Sequence, residues 1–470
     1  MNFKDINQIY FIGIGGIGMS ALARFFKAAG KAVAGYDKTA TPLTDVLIHE
    51  GMQIQFEDSV ELLPRKFADR SQIENTLVVY TPAIPPDNLL LNYFRENKFS
   101  VVKRSQVLGI ITQNACTIAV AGTHGKTTTS TMIAHVLKHS GIDCTAFLGG
   151  ISKNYNTNVL IGNAKDAEGR PVIVVEADEY DRSFLQLYPD CAVITAMDPD
   201  HLDIYQTHEA MTQAYLVFAS QVKKGGRLIV KNNLKINPLQ AEVWTYGMNE
   251  QADCYACIHR SESHAYLYDI TCPSGKIENV SISLPGFHNV ENSLAAAAVA
   301  KWLNVTDEKI KSAFASFMGI KRRFEFIIRH PLLNYIDDYA HHPDEIQAAL
   351  KSVKEIFPGK KITCIFQPHL YSRTRDFASE FGESLSQVDY LMLLPVYPAR
   401  EKPIPGVSSA LIMEHVKIPA TLETFESVLS KVKEQSSDVW ITMGAGDIDR
   451  LVIPLKNILE SKLKTIQHEK

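Results

Sequence analysis

Short apolar runs alternate along most of this chain with stretches of helical periodicity. Ile9-Tyr10-Phe11-Ile12 is an apolar run that ends at Gly13. Met19 to Ala29 then carries apolar residues at helical spacing and closes at Gly30, and Ala32 to Tyr36 reads as the next strand. That order predicts a βαβ opening and a parallel sheet. The same grammar restarts near residue 116, with a strand over Cys116–Ala121, a glycine turn and a helix from Thr127 to about His139. Further strands are predicted at Pro171–Val175 and Cys191–Ala196. From Gln251 to Leu284 the runs become short and mixed, with a turn at Pro273-Ser274-Gly275, which predicts antiparallel strands. Asn289–Trp302 is an alanine-rich helix. After Gly319, strands at Asn334–Asp338, Lys361–Phe366, Tyr390–Leu394 and Val439–Met443 alternate with helices such as Asp344–Phe357. The expected architecture is three α/β domains in series, 1–107, 108–320 and 321–470.

The bulk numbers narrow the class. The 470 residues exceed one domain of roughly 100–200 residues. A net charge of -4 offers no basic excess for nucleic acid. The longest apolar runs are strand-sized, short of the ~20 residues that cross a bilayer, and the polar N-terminus lacks a leader pattern. Seven cysteines, mostly in apolar strands, suit reduced thiols in a cytoplasmic protein. Cys254 and Cys257 form one C-x-x-C without a second pair, and His259 and His264 lack the spacing of a zinc site.

Two glycine loops carry the chemistry. Gly13-Ile14-Gly15-Gly16-Ile17-Gly18 follows a strand and opens a helix, with Asp37 at the end of the next strand. Glycines there let backbone N–H groups approach a diphosphate. By itself the motif fits a dinucleotide, another phosphate ligand, or a bare turn. Gly122-Thr123-His124-Gly125-Lys126-Thr127-Thr128 is more specific, although the first glycine of the full Walker pattern falls on Val120. Its amides would cradle a triphosphate, Lys126 would neutralise charge and Thr127 would hold Mg²⁺. An NAD-dependent oxidoreductase would leave this second loop unexplained.

Polar clusters stand at the ends of later strands. Glu176-Ala177-Asp178-Glu179 and Asp198-Pro199-Asp200-His201-Leu202-Asp203 are placed for Mg²⁺, or are solvated loop charges. Asp337-Asp338-Tyr339-Ala340-His341-His342 suits a phosphate or substrate contact better than a metal, because adjacent histidines point apart. Arg373 and Arg375, after Phe366, suit a carboxylate or phosphate, or surface ion pairs.

Taken together these motifs resemble the Mur ligases of peptidoglycan synthesis, and among them the alanine-adding branch. The resemblance rests on GIGGIGMS at 13–20, AGTHGKTTT at 121–129, EADE at 176–179, DPDHLD at 198–203, FHNVEN at 287–292, RRFE at 322–325, DDYAHHP at 337–343 and FQPHLYSRTRD at 366–376. It implies a Rossmann-like UDP-binding domain, a central P-loop ATPase-like domain with a small antiparallel portion, and a C-terminal Rossmann-like domain. The implied reaction joins L-alanine to UDP-N-acetylmuramate through an acyl phosphate, with ATP and two Mg²⁺ ions, in a cytoplasmic monomer or homodimer.

By position the resemblance implies that Gly15, Gly16, Gly18, Met19 and Ser20 face the UDP diphosphate, with Asp37, Thr81, Pro82 and Ala83 near the uridine. Gly122, Thr123, His124, Gly125, Lys126, Thr127, Thr128, Asn292, Arg323 and Asp338 would bind ATP. Thr127, Glu176 and His201 would serve the metals. Tyr339, His341, His369 and Arg373 would lie on the alanine side, with His201 or His341 as a general base. Two departures matter. Pro368-His369-Leu370-Tyr371 stands where many alanine-adding ligases read P-H-R-Y. Glu209 to Gln221 holds no lysine, unlike sister ligases with a carbamylated one. A murein-peptide recycling ligase of the same fold is the nearest alternative.

Overall fold

The computed structural model describes residues 3, 5–199, 202–236, 240–262, 265–399 and 401–468. The chain forms two compact units, Met1–Gly319 and Ile320–Lys470.

The first unit holds two sheets. One is parallel, in the order Gln53–Gln55, Ala32–Tyr36, Gln8–Ile12, Thr76–Tyr80, Ser100–Lys103. Chain order reverses at Gln8–Ile12. The crevice beyond the carboxyl end of that strand is where such sheets bind ligands. The helix Ile17–Ala28 starts there.

The second sheet runs Gly275–Ile282, Ala265–Cys272, Cys254–Glu262, Glu242–Gly247, Arg227–Lys231, Cys191–Ile194, Cys116–Ala121, Val172–Glu176, Thr145–Ser152, Thr157–Leu160. Its middle is parallel and fully buried, which explains why Cys116–Ala121 reads as a continuous apolar run rather than an alternating one. The predicted antiparallel strands are present as two hairpins that extend this same sheet. The strands Thr145–Ser152 and Thr157–Leu160, and the pair Arg227–Lys231 and Glu242–Gly247, have no counterpart in the sequence reading. Their runs are interrupted by glycine or polar residues, and pairing with the buried centre decides them.

The two sheets share an apolar core. Phe11, Phe26, Val79 and Val107 belong to one cluster with Ala119, Val175 and Phe218. Residue 107 lies inside the helix Arg104–Gln113. Asn158 adds a polar tie, donating from Nδ2 to Ile17 O at 2.6 Å and to Ser20 Oγ at 2.9 Å.

The second unit is one sheet in the order Glu325–His330, Leu333–Asp338, Val439–Met443, Ile362–Phe366, Tyr390–Leu393, Ala420–Leu422, with the first strand antiparallel and the others parallel. Alternate residues feed its two faces, as the pleat requires. Ile336, Phe366 and Ile441 pack with Ile346, Leu350 and Phe381. Tyr335, Ile365 and Trp440 pack with Val428, Leu455 and Leu459. No helix among the described residues is long and apolar enough to cross a membrane.

Candidate active site

The loop after Cys116–Ala121 is shaped by two glycines. Gly122 has φ +137°, and a Cβ there would overlap Thr195 Oγ1. Gly125 has φ +80° and begins the helix Lys126–His139, so the helix's unbonded N–H groups open onto the loop. Thr195, at the end of the neighbouring strand, fastens the turn by donating its hydroxyl proton to His124 O, with Ala121 O also within reach. Thr123 N–H donates to Ala196 O at 3.1 Å. These bonds hold the loop in shape from outside, leaving its concave side for a ligand.

Lys126 Nζ donates to Gly122 O at 2.6 Å and to Glu179 Oε1 at 2.8 Å. Burial opposes charge on Lys126, but Glu179, Glu176 and Asp178 outweigh it and hold the ammonium above the ordinary lysine range. Burial pushes the Glu179 carboxyl up to about 7 against the pull of Lys126. Lys126 therefore keeps its proton, and Glu179 is the member of the pair whose charge the surroundings disfavour. Lys126 has three carboxylates around it, whereas Glu179 is 1% exposed beside Lys126.

Glu176 ends the strand paired with Cys116–Ala121, in register with Val120, so its carboxylate emerges beside the loop. A Cβ on Gly149 would overlap that carboxylate where it stands, so the glycine in the strand Thr145–Ser152 leaves room for it. Thr127 is buried at the first turn of the loop helix. Among the described residues no three His, Cys, Asp or Glu side chains converge on a metal position. A Mg²⁺ ion held by Thr127, Glu176 and phosphate oxygens fits this donor set, because Mg²⁺ commonly takes one or two protein oxygens and fills its shell from phosphate and water. His201, named with these residues from sequence, lies outside the described residues, as does Asp200.

Asn292 is brought to the loop from the helix Phe287–Trp302. It is buried, its Oδ1 accepts from Thr129 Oγ1 at 3.2 Å, and a Cβ on Gly125 would lie 2.9 Å from the same oxygen. His124 and Thr128 are half-buried.

At the first loop, Gly15 N–H donates to Asp37 Oδ2 at 2.8 Å, and burial raises the Asp37 carboxyl above its ordinary range. Thr81 and Ile84 close the other side, with a Cβ on Gly13 meeting Thr81 Cγ2 at 2.8 Å. Pro82 and Ala83 are exposed next to them. Gly16 and Gly18 stand at the start of the helix. The side chains of Met19 and Ser20 are buried. Ser20 Oγ donates to Ile17 O.

The second unit gathers its own candidates at the carboxyl ends of Leu333–Asp338 and Ile362–Phe366. Asp338 accepts from Phe324 N–H at 2.6 Å and Ala340 N–H at 2.7 Å, and burial raises its carboxyl. Arg323 lies over the Tyr339 ring at 5.3 Å. The His341 and His369 rings meet edge to face at 5.8 Å, and Tyr397 stacks on His369 at 5.7 Å. His341 Nδ1 is 3.1 Å from Glu345 Oε2, and His342 Nδ1 is 3.5 Å from Asp344 Oδ2, so each of these histidines faces a carboxylate. Arg373 Nη1 is buried without a hydrogen-bond partner among the described residues, as an anion-binding guanidinium would be. Arg375 instead pairs with Asp376 at 2.7 Å on the surface. Arg322, Phe324, Leu370 and Ala399 all take positive φ here. Non-glycine residues in that region cluster at functional sites. Cys254 is buried and Cys257 exposed, as an odd spacing on an extended strand requires, so the C-x-x-C does not converge on a metal. His264 lies outside the described residues.

Sequence reasoning did not single out Thr195, Tyr397 or Arg104. Thr195 has no local signal. Tyr397 sits in Val396-Tyr397-Pro398-Ala399-Arg400-Glu401, whose aromatic and charged residues at a strand end were the available cue.

Comparison with known proteins agrees with this geometry. Residues 8–115 match the model of the Mur ligase family catalytic domain, 120–300 the Mur ligase middle domain, and 322–446 the Mur ligase glutamate ligase domain. The chain is 48% identical over 467 residues to the UDP-N-acetylmuramate–L-alanine ligase of Cytophaga hutchinsonii, covering 98% of this chain and 99% of that one. It is 48% identical over 469 residues to the enzyme of the same name from Parabacteroides distasonis, covering 99% and 100%. The crystal structure of UDP-N-acetylmuramate–alanine ligase from Thermotoga maritima matches with a TM-score of 0.78 at 27% identity, over 97% of this chain and 99% of that one. With the two glycine loops, the acidic strand end and the histidine–arginine cluster all in place, the chain belongs to the Mur ligase family.

Proposed function

We propose that this chain joins L-alanine to the lactyl carboxylate of UDP-N-acetylmuramate, converting ATP to ADP and phosphate. The observation that carries the reading is Lys126, held in a glycine-shaped loop beside Glu176 and Glu179. Near-full-length identity to ligases of that name supports the substrates.

In this reading residues 1–107 hold the UDP moiety, 108–320 hold ATP, and 321–470 carry the alanine side. A carboxylate oxygen of the substrate attacks the γ-phosphorus, and the bond to ADP breaks. The alanine nitrogen then attacks the acyl carbon, inorganic phosphate leaves, and the nitrogen gives up a proton. When bound, Mg²⁺ would neutralise the phosphoryl charge; Thr127 and Glu176 are the residues that would hold it, and His201 is the residue assigned to a second ion. Lys126 and the loop's N–H groups do the same from the other side, because positioning and electrostatics dominate phosphoryl transfer. Asn292 holds the adenine, and Arg323 and Asp338 serve the nucleotide. Arg373 binds the amino-acid carboxylate, with Tyr339 and His369 around it. His341 or His201 accepts the proton.

The test is phosphate release from ATP with UDP-N-acetylmuramate and Mg²⁺, each amino acid offered separately. Release is expected with L-alanine and not with the tripeptide L-alanyl-γ-D-glutamyl-diaminopimelate. Release with the tripeptide alone would assign the recycling reaction instead, and no release with any amine would overturn the reading.

A further inference from the structure

Arg104 stands between the two glycine-loop sites of the first unit. It begins the helix Arg104–Gln113 and is 23% exposed at its side chain. On one side, a Cβ added to Gly18 would overlap Arg104 Nη1 and lie 3.2 Å from its Cζ, so the guanidinium lies on the first turn of the helix that opens from the first loop. On the other side, Nη2 donates to Asp178 Oδ2 at 2.9 Å. Asp178 sits between Glu176 and Glu179, and its charge acts on Lys126. Arg104, Ser105, Glu176, Asp178 and Ser183 line one concavity.

The substrate proposed above has a diphosphate at one end and the carboxylate to be activated at the other. Both ends are anionic. The first must rest on the helix opening at Ile17–Gly18, and the second must reach Glu176 and Lys126. Arg104 is a cation placed between those two ends. Its neighbour Lys103 is taken up elsewhere, by Asp181 at 2.8 Å.

We propose that Arg104 is a substrate-positioning residue that binds the UDP diphosphate through the guanidinium edge facing Gly18. Asp178 holds the other edge and aims it. The inference rests on the ligase reading of these sites. A planar guanidinium can serve both anions at once, one on each edge, which a lysine point charge cannot do with the same geometry. The arrangement ties the orientation of the diphosphate group to the acidic strand end that serves the nucleotide.

The test compares binding of UDP and UMP to the full chain by calorimetry, together with steady-state kinetics, for Arg104→Met, Arg104→Lys and Asp178→Asn. In the unaltered chain UDP is expected to bind more tightly than UMP. Arg104→Met should weaken UDP binding and raise the KM for the UDP-sugar by roughly tenfold or more, the loss typical of a charged hydrogen bond. UMP binding and the melting temperature should change little, and Arg104→Lys should recover part of the loss. Asp178→Asn removes the ion pair but keeps the cation, and should cost less UDP affinity than Arg104→Met. If Arg104→Met leaves the UDP-to-UMP ratio intact, or if the two single variants lose UDP affinity equally, Arg104 is only a structural ion-pair partner and the inference is overturned. An unaltered chain that binds neither nucleotide would overturn the ligase reading itself, and this inference with it.

Discussion

Lys126 Nζ lies 2.8 Å from Glu179 Oε1, and that carboxylate is 1% exposed. The cation proposed to serve the triphosphate is therefore also the counter-charge of a buried acid. Removing it has two separable consequences. Lys126→Met should lower ATP-dependent phosphate release by roughly 10²-fold or more, in line with loss of a preorganised charge contact. It should also destabilise the fold, since breaking a buried pair on one side costs about 3–5 kcal/mol. Adding Glu179→Gln to Lys126→Met should restore most of the melting temperature without restoring activity. Thermal melts and phosphate-release assays on the single and double variants check this, and recovery of both together would count against it.

Gly122 has φ +137°, a backbone conformation that L side chains rarely adopt, and its missing Cβ makes room for Thr195. Gly122→Ala should lower stability by about 1–3 kcal/mol. It should also weaken ATP binding more than UDP binding, because the strain falls on one loop only. Calorimetric titration with each nucleotide distinguishes the two effects.

His135 ties the loop helix to the helix Asp307–Ser316. Its Nε2 is 3.1 Å from Ala313 O and its Nδ1 is 3.0 Å from Tyr155 Oη. A carbonyl only accepts, so Nε2 carries the proton and Nδ1 accepts from Tyr155. Burial pulls the imidazole pKa down from 6.5 to about 4. The unfolded chain therefore binds a proton at this residue between those values, and the folded chain does not. Its contribution is present in full above pH 6.5 and is lost as pH falls toward 4, by about 3 kcal/mol at the limit. His135→Gln should flatten the acid limb of the stability–pH curve over that window. Denaturant melts at several pH values, with the same slope in both proteins, would refute this.

Tyr397 stacks on His369 with 19° between ring planes, and Leu370 N–H donates to Tyr397 O at 2.9 Å. Glu401 accepts from Ser372 N–H at 2.9 Å, at the start of the short helix that carries Arg373. Tyr397→Ala should raise the KM for L-alanine several-fold, the scale of a lost ring contact of about 0.5–1.5 kcal/mol. The KM for ATP should be unchanged. Arg373→Met should raise the alanine KM further and lower kcat as well. Initial-rate kinetics with each substrate varied in turn separates these patterns.

Metal removal should divide the two nucleotide sites. Excess chelator is expected to abolish phosphate release, because phosphoryl charge at Glu176 and Glu179 then lacks a counter-ion. UDP binding at the first loop should persist, since glycine N–H groups and a helix start need no metal. Loss of both on chelation would contradict this division.

Local structure was legible from the residues alone. The strand, turn and helix around Gly13–Gly18 and around Gly122–Lys126 were legible, because glycines that permit positive φ and the apolar runs beside them act over a few residues. The motifs at 176–179 and 337–343 also marked strand ends correctly. Tertiary structure alone decided which distant groups meet. Asn292 reaches Thr129 across 163 positions, Glu179 reaches Lys126 across 53, and Arg104 reaches Asp178 across 74. It also decided that the antiparallel hairpins extend the sheet built on Cys116–Ala121 rather than forming a separate layer. Those partners depend on the order and register of strands. Strand order is set by burial of whole faces against one another, and a single stretch of sequence carries no record of which face it will meet.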